Sequence, residues 1–179
     1  MPAKEIDKNS ISLAGEFAVL SQLSLRGIDA NLTLGHTKGI DILAFDPKNK
    51  KNYQIEVKTN YQNSKNRPHE SKLFGKIASA WIMNKKHETI ISPNLFYCFV
   101  NIGKQTNDFK FYIVPSKIVA QYVKAQHNLW LSTKKKGENN AKTFITELRQ
   151  FRIGYKKEKY ILKTASVEQY ENNWAFKGR

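Results

Sequence analysis

The chain has 179 residues and a formal net charge of +15 at pH 7, with 30 Lys and Arg against 15 Asp and Glu. This length suits one domain that needs no disulfide or structural metal, and the single Cys98, in the apolar run LFYCFV, predicts a buried, inert thiol. The charge favours a polyanionic partner, nucleic acid first, because each neutralised phosphate releases counterions. No run approaches the roughly 20 apolar residues of a membrane span, and no apolar signal core is present, so we expect a cytoplasmic protein without membrane contact.

The first predicted element is a helix over residues 10–26, with Ser10 as N-cap and Gly27 as its stop. Three apolar side chains at helical spacing form the centre of its predicted buried face: Leu13, Phe17 and Leu20. Glu16 falls on the flank of this face, where a carboxylate needs a cation, a hydrogen-bond donor or a metal as partner. A surface glutamate whose stem lies along the helix edge is the open alternative.

A strand near residues 30–34 and the loop GHTKG come next. The β-rich runs DILAF and YQIEVKT then flank the turn-forming DPKNKKN, which predicts a hairpin.

The register of this hairpin places two carboxylates together. If the loop is Pro47 to Lys50, then Asp46 pairs with Lys51, and counting back places Asp41 across from Glu56. Neighbouring strands lie about 4.8 Å apart, so the two carboxylates could share one cation. A slip by one residue would instead send Asp41 to the opposite face.

Further along the chain, residues 69–86 show helical spacing of apolar side chains and predict a helix that covers a sheet. Two strands, LFYCFVNI and FKFYIVP, precede a helix from Ser116 to about Gln126. The predicted order of helix, three strands, helix, two strands and helix is typical of a mixed α/β fold.

Residues 127–154 are harder to assign, because TFITELRQFRI suits either a helix or a strand. A final helix over residues 166–176 is predicted to dock on the core through Val167, Tyr170 and Trp174.

Residues 117–179 hold 14 basic and 5 acidic residues, a net charge of +9. Their lysine clusters indicate either phosphate contacts or simply solubility or attraction to an anionic membrane surface.

No P-loop and no G-x-G-x-x-G motif is present, which argues against nucleoside-triphosphate and dinucleotide chemistry.

The four histidines fall in predicted loops or at helix ends and are interpreted as surface residues: His36, His69, His87 and His127.

Glu16 on a first helix, then GIDILAF, then QIEVKT, and then a helix, two strands and another helix together resemble the PD-(D/E)XK nuclease superfamily. The resemblance covers about residues 10–126, and the layout is similar to that of archaeal-type Holliday-junction resolvases. It implies a restriction-endonuclease-like core with a mixed central β-sheet flanked by helices. We expect a basic C-terminal extension over about 127–179 to pack on this core within a single domain. Ile40 stands where the family name has proline.

The resemblance assigns Asp41, Glu56, Lys58 and Glu16 to the catalytic site. Asp41 and Glu56 supply hard oxygens suited to Mg²⁺, with Mn²⁺ as the expected substitute, and the Val57 carbonyl and Glu16 would complete the metal shell. Lys58 would orient or help deprotonate the attacking water.

The basic residues are predicted to contact DNA. They are Lys38, Lys72, Lys76, Lys134, Lys135, Lys136, Lys156, Lys157 and Lys159.

We therefore expect a Mg²⁺-dependent DNA endonuclease, of a restriction, repair or junction-processing type that the sequence leaves open. The alternative is a non-catalytic nucleic-acid-binding or protein-interaction module on the same fold. Cutting both strands favours a two-fold homodimer, although the sequence shows no dimer interface.

Overall fold

A computed structural model describes residues 6–33, 39–61, 69–104, 108–134, 147–155, 162 and 165–177. Its contacts divide the chain into a first unit (Met1–Lys65, Asn94–Pro115 and Glu171–Arg179) and a second unit (Asn66–Pro93 and Ser116–Tyr170). In chain order the elements are α1 (Lys8–Ser24), β1 (Asp29–Leu32), β2 (Ile42–Asp46), β3 (Lys51–Tyr61), β4 (His69–Ser71), β5 (Gly75–Asn84), a 3₁₀-helix (Lys85–Glu88), β6 (Leu95–Ile102), β7 (Phe109–Pro115), α2 (Ser116–Lys134), β8 (Leu148–Gly154), β9 (Ala165–Ser166) and α3 (Val167–Tyr170). The single-domain organisation stays a prediction.

The first unit is built on a five-stranded mixed sheet in the order β1-β2-β3-β6-β7. Strands β3 and β6 are parallel, and the other neighbours are antiparallel. Asp46 pairs with Lys51 and Ile42 with Ile55, so the predicted hairpin and its register are confirmed. The predicted fold class, a mixed sheet with helices, is confirmed as well.

One face of this sheet forms the core of the first unit. Alternate side chains of β2, β3 and β6 point into it, as the period of two along a strand requires. Its fully buried members include Val19, Leu23, Ile42, Ile55 and Val100. Cys98 is buried there, and burial raises the pKa of its thiol, as expected for an inert cysteine.

The C-terminal segment docks on this core as predicted, but most of it is not helical. Trp174 and Phe176 are buried in the core cluster, and the Trp174 ring lies under the Arg26 guanidinium at 4.7 Å. The helix ends at Tyr170, and the chain continues through turns. The predicted helix over residues 166–176 is therefore wrong beyond its first turn.

The predicted limits and buried face of the first helix need correction. Asp7, not Ser10, is the N-cap, because its side chain accepts from the N–H groups of Asn9 and Ser10. The buried residues of α1 are Gly15, Val19 and Leu23. Two of the residues predicted to be buried, Leu13 and Phe17, are exposed, and Leu20 is half-buried. Gly27 follows the helix end with φ +69°, which confirms it as the stop.

The second unit contains a four-stranded sheet in the order β4-β5-β8-β9. Strand β8 decides the alternative left open for TFITELRQFRI in favour of a strand over residues 148–154. Helix α2 runs to Lys134, further than predicted, and its Tyr122 ring meets Phe151 of β8 at 5.3 Å between centroids.

The helix predicted over residues 69–86 is wrong, since these residues form β4, β5 and the start of the 3₁₀-helix. Trp81 and Met83 of β5 are buried while Ile82 between them is exposed, which is the alternation of a strand. An irregularity in the pairing between Ile77 and Ser79 inserts a residue and shifts that alternation. The resulting spacing of apolar residues imitates a helical pattern.

Gly15 sets how closely α1 approaches β3. A Cβ atom built on Gly15 would lie 1.9 Å from Oγ1 and 2.9 Å from Cβ of Thr59. Only glycine lets the helix pack at this distance, so the face of α1 with the smallest residue turns inward and the bulkier Leu13 and Phe17 point outward.

Gly15→Ala should destabilise the protein by about 1–3 kcal/mol, because the added methyl group has no room beside Thr59. At an open helix position the same change would stabilise by about 0.5–1 kcal/mol. Urea unfolding measures the difference. Thr59→Ala in the same chain should recover part of the loss, and the exposed-site control Ser21→Ala should stay within about 0.5 kcal/mol of the parent. A more stable Gly15→Ala variant would contradict this packing.

Candidate active site

Asp41 lies immediately before β2, held at the edge of β3 by two hydrogen bonds. Its backbone N–H donates to the Ile55 carbonyl at 2.9 Å. Its carboxylate Oδ2 accepts from the Val57 N–H at 2.7 Å. In a regular ladder, a backbone carbonyl of the neighbouring strand would accept the hydrogen bond from the Val57 N–H. Here the Asp41 carboxylate accepts it instead. The paired register ends at Ile42 opposite Ile55, and the two hydrogen bonds place Asp41 beside the stretch from Ile55 to Val57 that contains Glu56.

Glu56 and Lys58 form an ion pair on one face of β3. The Lys58 Nζ atom lies 2.6 Å from Glu56 Oε1. Glu56 is only 2% exposed, whereas the Lys58 side chain reaches solvent. A buried carboxylate is costly without a compensating partner, so the ammonium group two residues along the strand stabilises the charged form of Glu56.

Tyr97 is a neighbour of Glu56 that sequence reasoning missed. It pairs with Glu56 across the parallel β3–β6 ladder and is fully buried. Burial raises the pKa of Tyr97, and the Glu56 carboxylate raises it further. The phenol therefore stays protonated and adds no second negative charge beside Glu56. No local signal could have found it, because the run LFYCFV is typical of a core strand and its partner lies about 40 residues away.

Gly39 leaves space beside the second carboxylate oxygen of Glu56. It adopts φ +83°, and a Cβ atom built on it would lie 3.5 Å from Glu56 Oε2. A side chain there would fill the volume next to this oxygen.

Glu16 is half-buried on α1 and faces the charges of the same region. Its Oε1 accepts from the Ser12 hydroxyl at 3.2 Å. Burial raises the pKa of Glu16 and the Asp41 carboxylate raises it further, while the Ser12 hydrogen bond and the Lys58 ammonium oppose the rise. The structure thus brings Glu16 within electrostatic reach of Asp41 and Lys58.

The Val57 carbonyl belongs to the same edge. In a strand the N–H and C=O of one residue point to the same side, and the Val57 N–H points to Asp41. The Val57 carbonyl therefore faces the start of β2, where Asp41 lies. Among the residues that the structure describes, no three His, Cys, Asp or Glu side chains cluster closely enough to hold a metal.

The predicted DNA-contacting lysines are only partly described. Lys72 and Lys76 are exposed in the second unit, in the turn before β5 and in β5 itself, not on a helix. Lys134 ends α2. The others lie outside the described residues: Lys38, Lys135, Lys136, Lys156, Lys157 and Lys159.

The interpretation of His87 as a surface residue is wrong. It is buried, and its Nδ1 lies 2.9 Å from the Asn84 backbone nitrogen at the start of the 3₁₀-helix. His36 lies outside the described residues.

No protein-family model matches the sequence, and no curated protein matches it. Among solved structures, the bacterial homing endonuclease I-Ssp6803I matches with a TM-score of 0.51 and 9% sequence identity, covering 96% of this chain and 91% of that chain. At this identity the likeness concerns the fold. The chain shares its overall fold with that protein. Within the part of the chain that the structure describes, no helix is long and apolar enough to cross a membrane.

The raised pKa of Glu16 predicts a pH-dependent stability. A carboxyl whose pKa is higher in the folded than in the unfolded chain, where it is near 4.5, favours folding at low pH. The unfolding free energy of the wild type, minus that of Glu16→Gln, should therefore fall as the pH rises from about 4.5 through the folded pKa. Urea unfolding of both proteins in EDTA between pH 4 and pH 7 measures this difference. A difference that is constant or rises with pH would contradict the raised pKa that burial and the Asp41 carboxylate give Glu16.

Proposed function

We propose that this chain is a metal-dependent DNA endonuclease of the PD-(D/E)XK type. One observation carries the proposal: the Asp41 carboxylate accepts a hydrogen bond from the N–H of Val57, the β3 residue between the ion-paired Glu56 and Lys58. The nuclease-like fold agrees with this reading, because a homing endonuclease shares it. A half-exposed strand that merely met water would not bury Glu56.

The donor set fits Mg²⁺, with Mn²⁺ as substitute. Mg²⁺ prefers carboxylate oxygens, keeps several waters and seldom uses an all-protein cage, so two carboxylates and the Val57 carbonyl suffice. The space beside Glu56 Oε2 next to Gly39 is consistent with a ligand at that oxygen. When bound, the ion would lower the pKa of a water and offset charge on the phosphate.

Each residue of the site then has a distinct task. Asp41 and Glu56 would hold the ion, and the hydrogen bond from Val57 would keep the Asp41 carboxylate oriented toward it. Lys58, whose side chain reaches solvent, would place its ammonium beside the attacking water and stabilise negative charge on the phosphate.

Glu16 would act at the margin of this site. Because its pKa is raised, Glu16 loses its proton at a higher pH than an ordinary glutamate does. A bound divalent ion would oppose this effect and favour the ionised form. We assign it to the outer part of the metal shell, where it would accept hydrogen bonds from coordinated water.

Double-stranded DNA is the proposed substrate. The net charge of +15 favours a polyanion, and the lysine clusters at 134–136 and 156–159 would contact phosphates. Cutting both strands would favour a homodimer. A restriction, repair or junction-processing role is compatible with the same site.

Glu56→Gln and Lys58→Ala should each abolish Mg²⁺-dependent cleavage of plasmid DNA or slow it by at least about 10²-fold, because each removes a group acting on the reacting phosphate or its water. DNA binding should persist, since phosphate contacts elsewhere supply most of the affinity. Cleavage is followed with Mg²⁺ and with EDTA on supercoiled, linear, single-stranded and branched DNA.

Gln54→Ala is the matched control, because Gln54 lies on the same face of β3 two residues before Glu56 and has no assigned role. It should cut DNA nearly as well as the wild type. Wild-type cleavage by both Glu56→Gln and Lys58→Ala would refute the mechanism. DNA binding by a wild type that never cleaves would favour the non-catalytic alternative.

A further inference from the structure

The second unit carries most of the positive charge of the chain. Its two segments, Asn66–Pro93 and Ser116–Tyr170, hold 17 Lys and Arg against 6 Asp and Glu, a net charge of +11 out of the +15 of the whole chain. The first unit, which contains the acidic site, accounts for the remaining +4. A polyanion is therefore attracted mainly to the second unit.

Within the second unit, β5 and β8 pair as a two-stranded antiparallel ribbon. Ala80 to Asn84 pair in regular register with Arg152 to Leu148, while the described pairing of β4 and β9 reaches only the opposite end of these strands. One face of the ribbon is packed through Trp81, Met83 and Phe151. The other face, which we call the ribbon face, consists of Ala80, Ile82, Asn84, Leu148, Gln150 and Arg152.

The ribbon face is exposed at Ile82, Asn84 and Leu148 and half-buried at Ala80, Gln150 and Arg152, and its composition is unusual. Ile82 is 70% exposed and Leu148 is 60% exposed. The polar members are an asparagine, a glutamine and an arginine, and none of the six residues is acidic. Lys85 and Lys86 follow directly at the end of β5, where Lys85 Nζ lies 3.8 Å from the Glu147 carboxylate.

The polar side chains of the ribbon face are held in place. Arg152 donates a hydrogen bond through Nη2 to the side-chain oxygen of Gln150, and its guanidinium lies 4.3 Å from the Phe74 ring centroid. This contact orients the Gln150 amide and leaves its NH₂ group and a second lone pair of its oxygen for another partner.

We propose that the ribbon face enters the major groove of duplex DNA and contacts base edges. This inference rests on the proposed function. It assigns to the ribbon face the selection of the DNA sequences that the endonuclease would cut. The major groove admits a two-stranded β-ribbon, glutamine binds adenine through two hydrogen bonds, and apolar side chains contact the thymine methyl group. The +11 charge of the second unit supplies the attraction to phosphates that brings the ribbon to the groove.

Binding selection tests the proposal without cleavage. Glu56→Gln protein is incubated in EDTA with a duplex library of random sequence, and bound DNA is sequenced. The parent should select a defined sequence. Adding Gln150→Ala should reduce discrimination at one or two base positions by about 5- to 140-fold, and adding Ile82→Ala should weaken a preference for thymine. Affinity for unselected DNA should be unchanged, because phosphate contacts supply it.

Gln121→Ala is the matched control, since Gln121 is an exposed glutamine of the same unit on α2, away from the ribbon face. It should leave the selected sequence unaltered. An unchanged selection in both ribbon variants, or a parent that binds without preference, would overturn the proposal. Ribbon variants that alter the oligomeric state and leave DNA selection intact would also overturn it and assign the face to contacts between protein chains. A protein that selects DNA but never cleaves it would refute the proposed function alone.

Discussion

The hydrogen bond from the Val57 N–H to the Asp41 carboxylate is the contact on which the proposed site depends. A strand edge beyond the end of its partner presents an unpaired N–H, and here a side-chain oxygen takes the place of a backbone carbonyl. One short contact thereby satisfies the Val57 N–H of β3 and fixes a carboxylate beside the residue that follows Glu56. Asp41 is held by one backbone and one side-chain hydrogen bond to β3, so its placement beside Glu56 follows from contacts with the strand that bears Glu56.

The burial of Glu56 gives this placement its chemical meaning. A carboxylate that is 2% exposed needs a positive partner, and Lys58 supplies one at 2.6 Å. Tyr97 stays uncharged and so adds no negative charge beside Glu56. Gly39 places no side chain against Glu56 Oε2. Gly15 acts at a distance: by allowing α1 to approach Thr59, it brings the following residue, Glu16, near Asp41. Gly15, Gly39 and Tyr97 therefore shape the surroundings of the four ionisable side chains of the candidate site, which are Glu16, Asp41, Glu56 and Lys58.

The hairpin, its register and the five strands of the first unit could be predicted from sequence, because turn residues and period-two alternation are local signals. The mixed central sheet that they form came from the resemblance. The buried face of α1 could not, since the approach to Thr59 outweighs the larger apolar residues Leu13 and Phe17. The helix predicted over residues 69–86 failed because an inserted residue near Ile77 turned a strand pattern into a helical one. Tyr97 was missed because strand pairing across 41 residues leaves no trace in either segment. The catalytic assignment of Asp41, Glu56 and Lys58 came from a resemblance, and it stays a prediction.

The central claim is that the Asp41 and Glu56 carboxylates hold one divalent ion. The most direct measurement is anomalous diffraction from crystals soaked in Mn²⁺, with Asp41→Asn protein soaked in parallel. We expect one Mn²⁺ peak within about 2.1 Å of an oxygen from each carboxylate, with the two side chains within about 6 Å of each other. We expect no such peak in Asp41→Asn. An ion bound elsewhere, or an unchanged peak in Asp41→Asn, would contradict it.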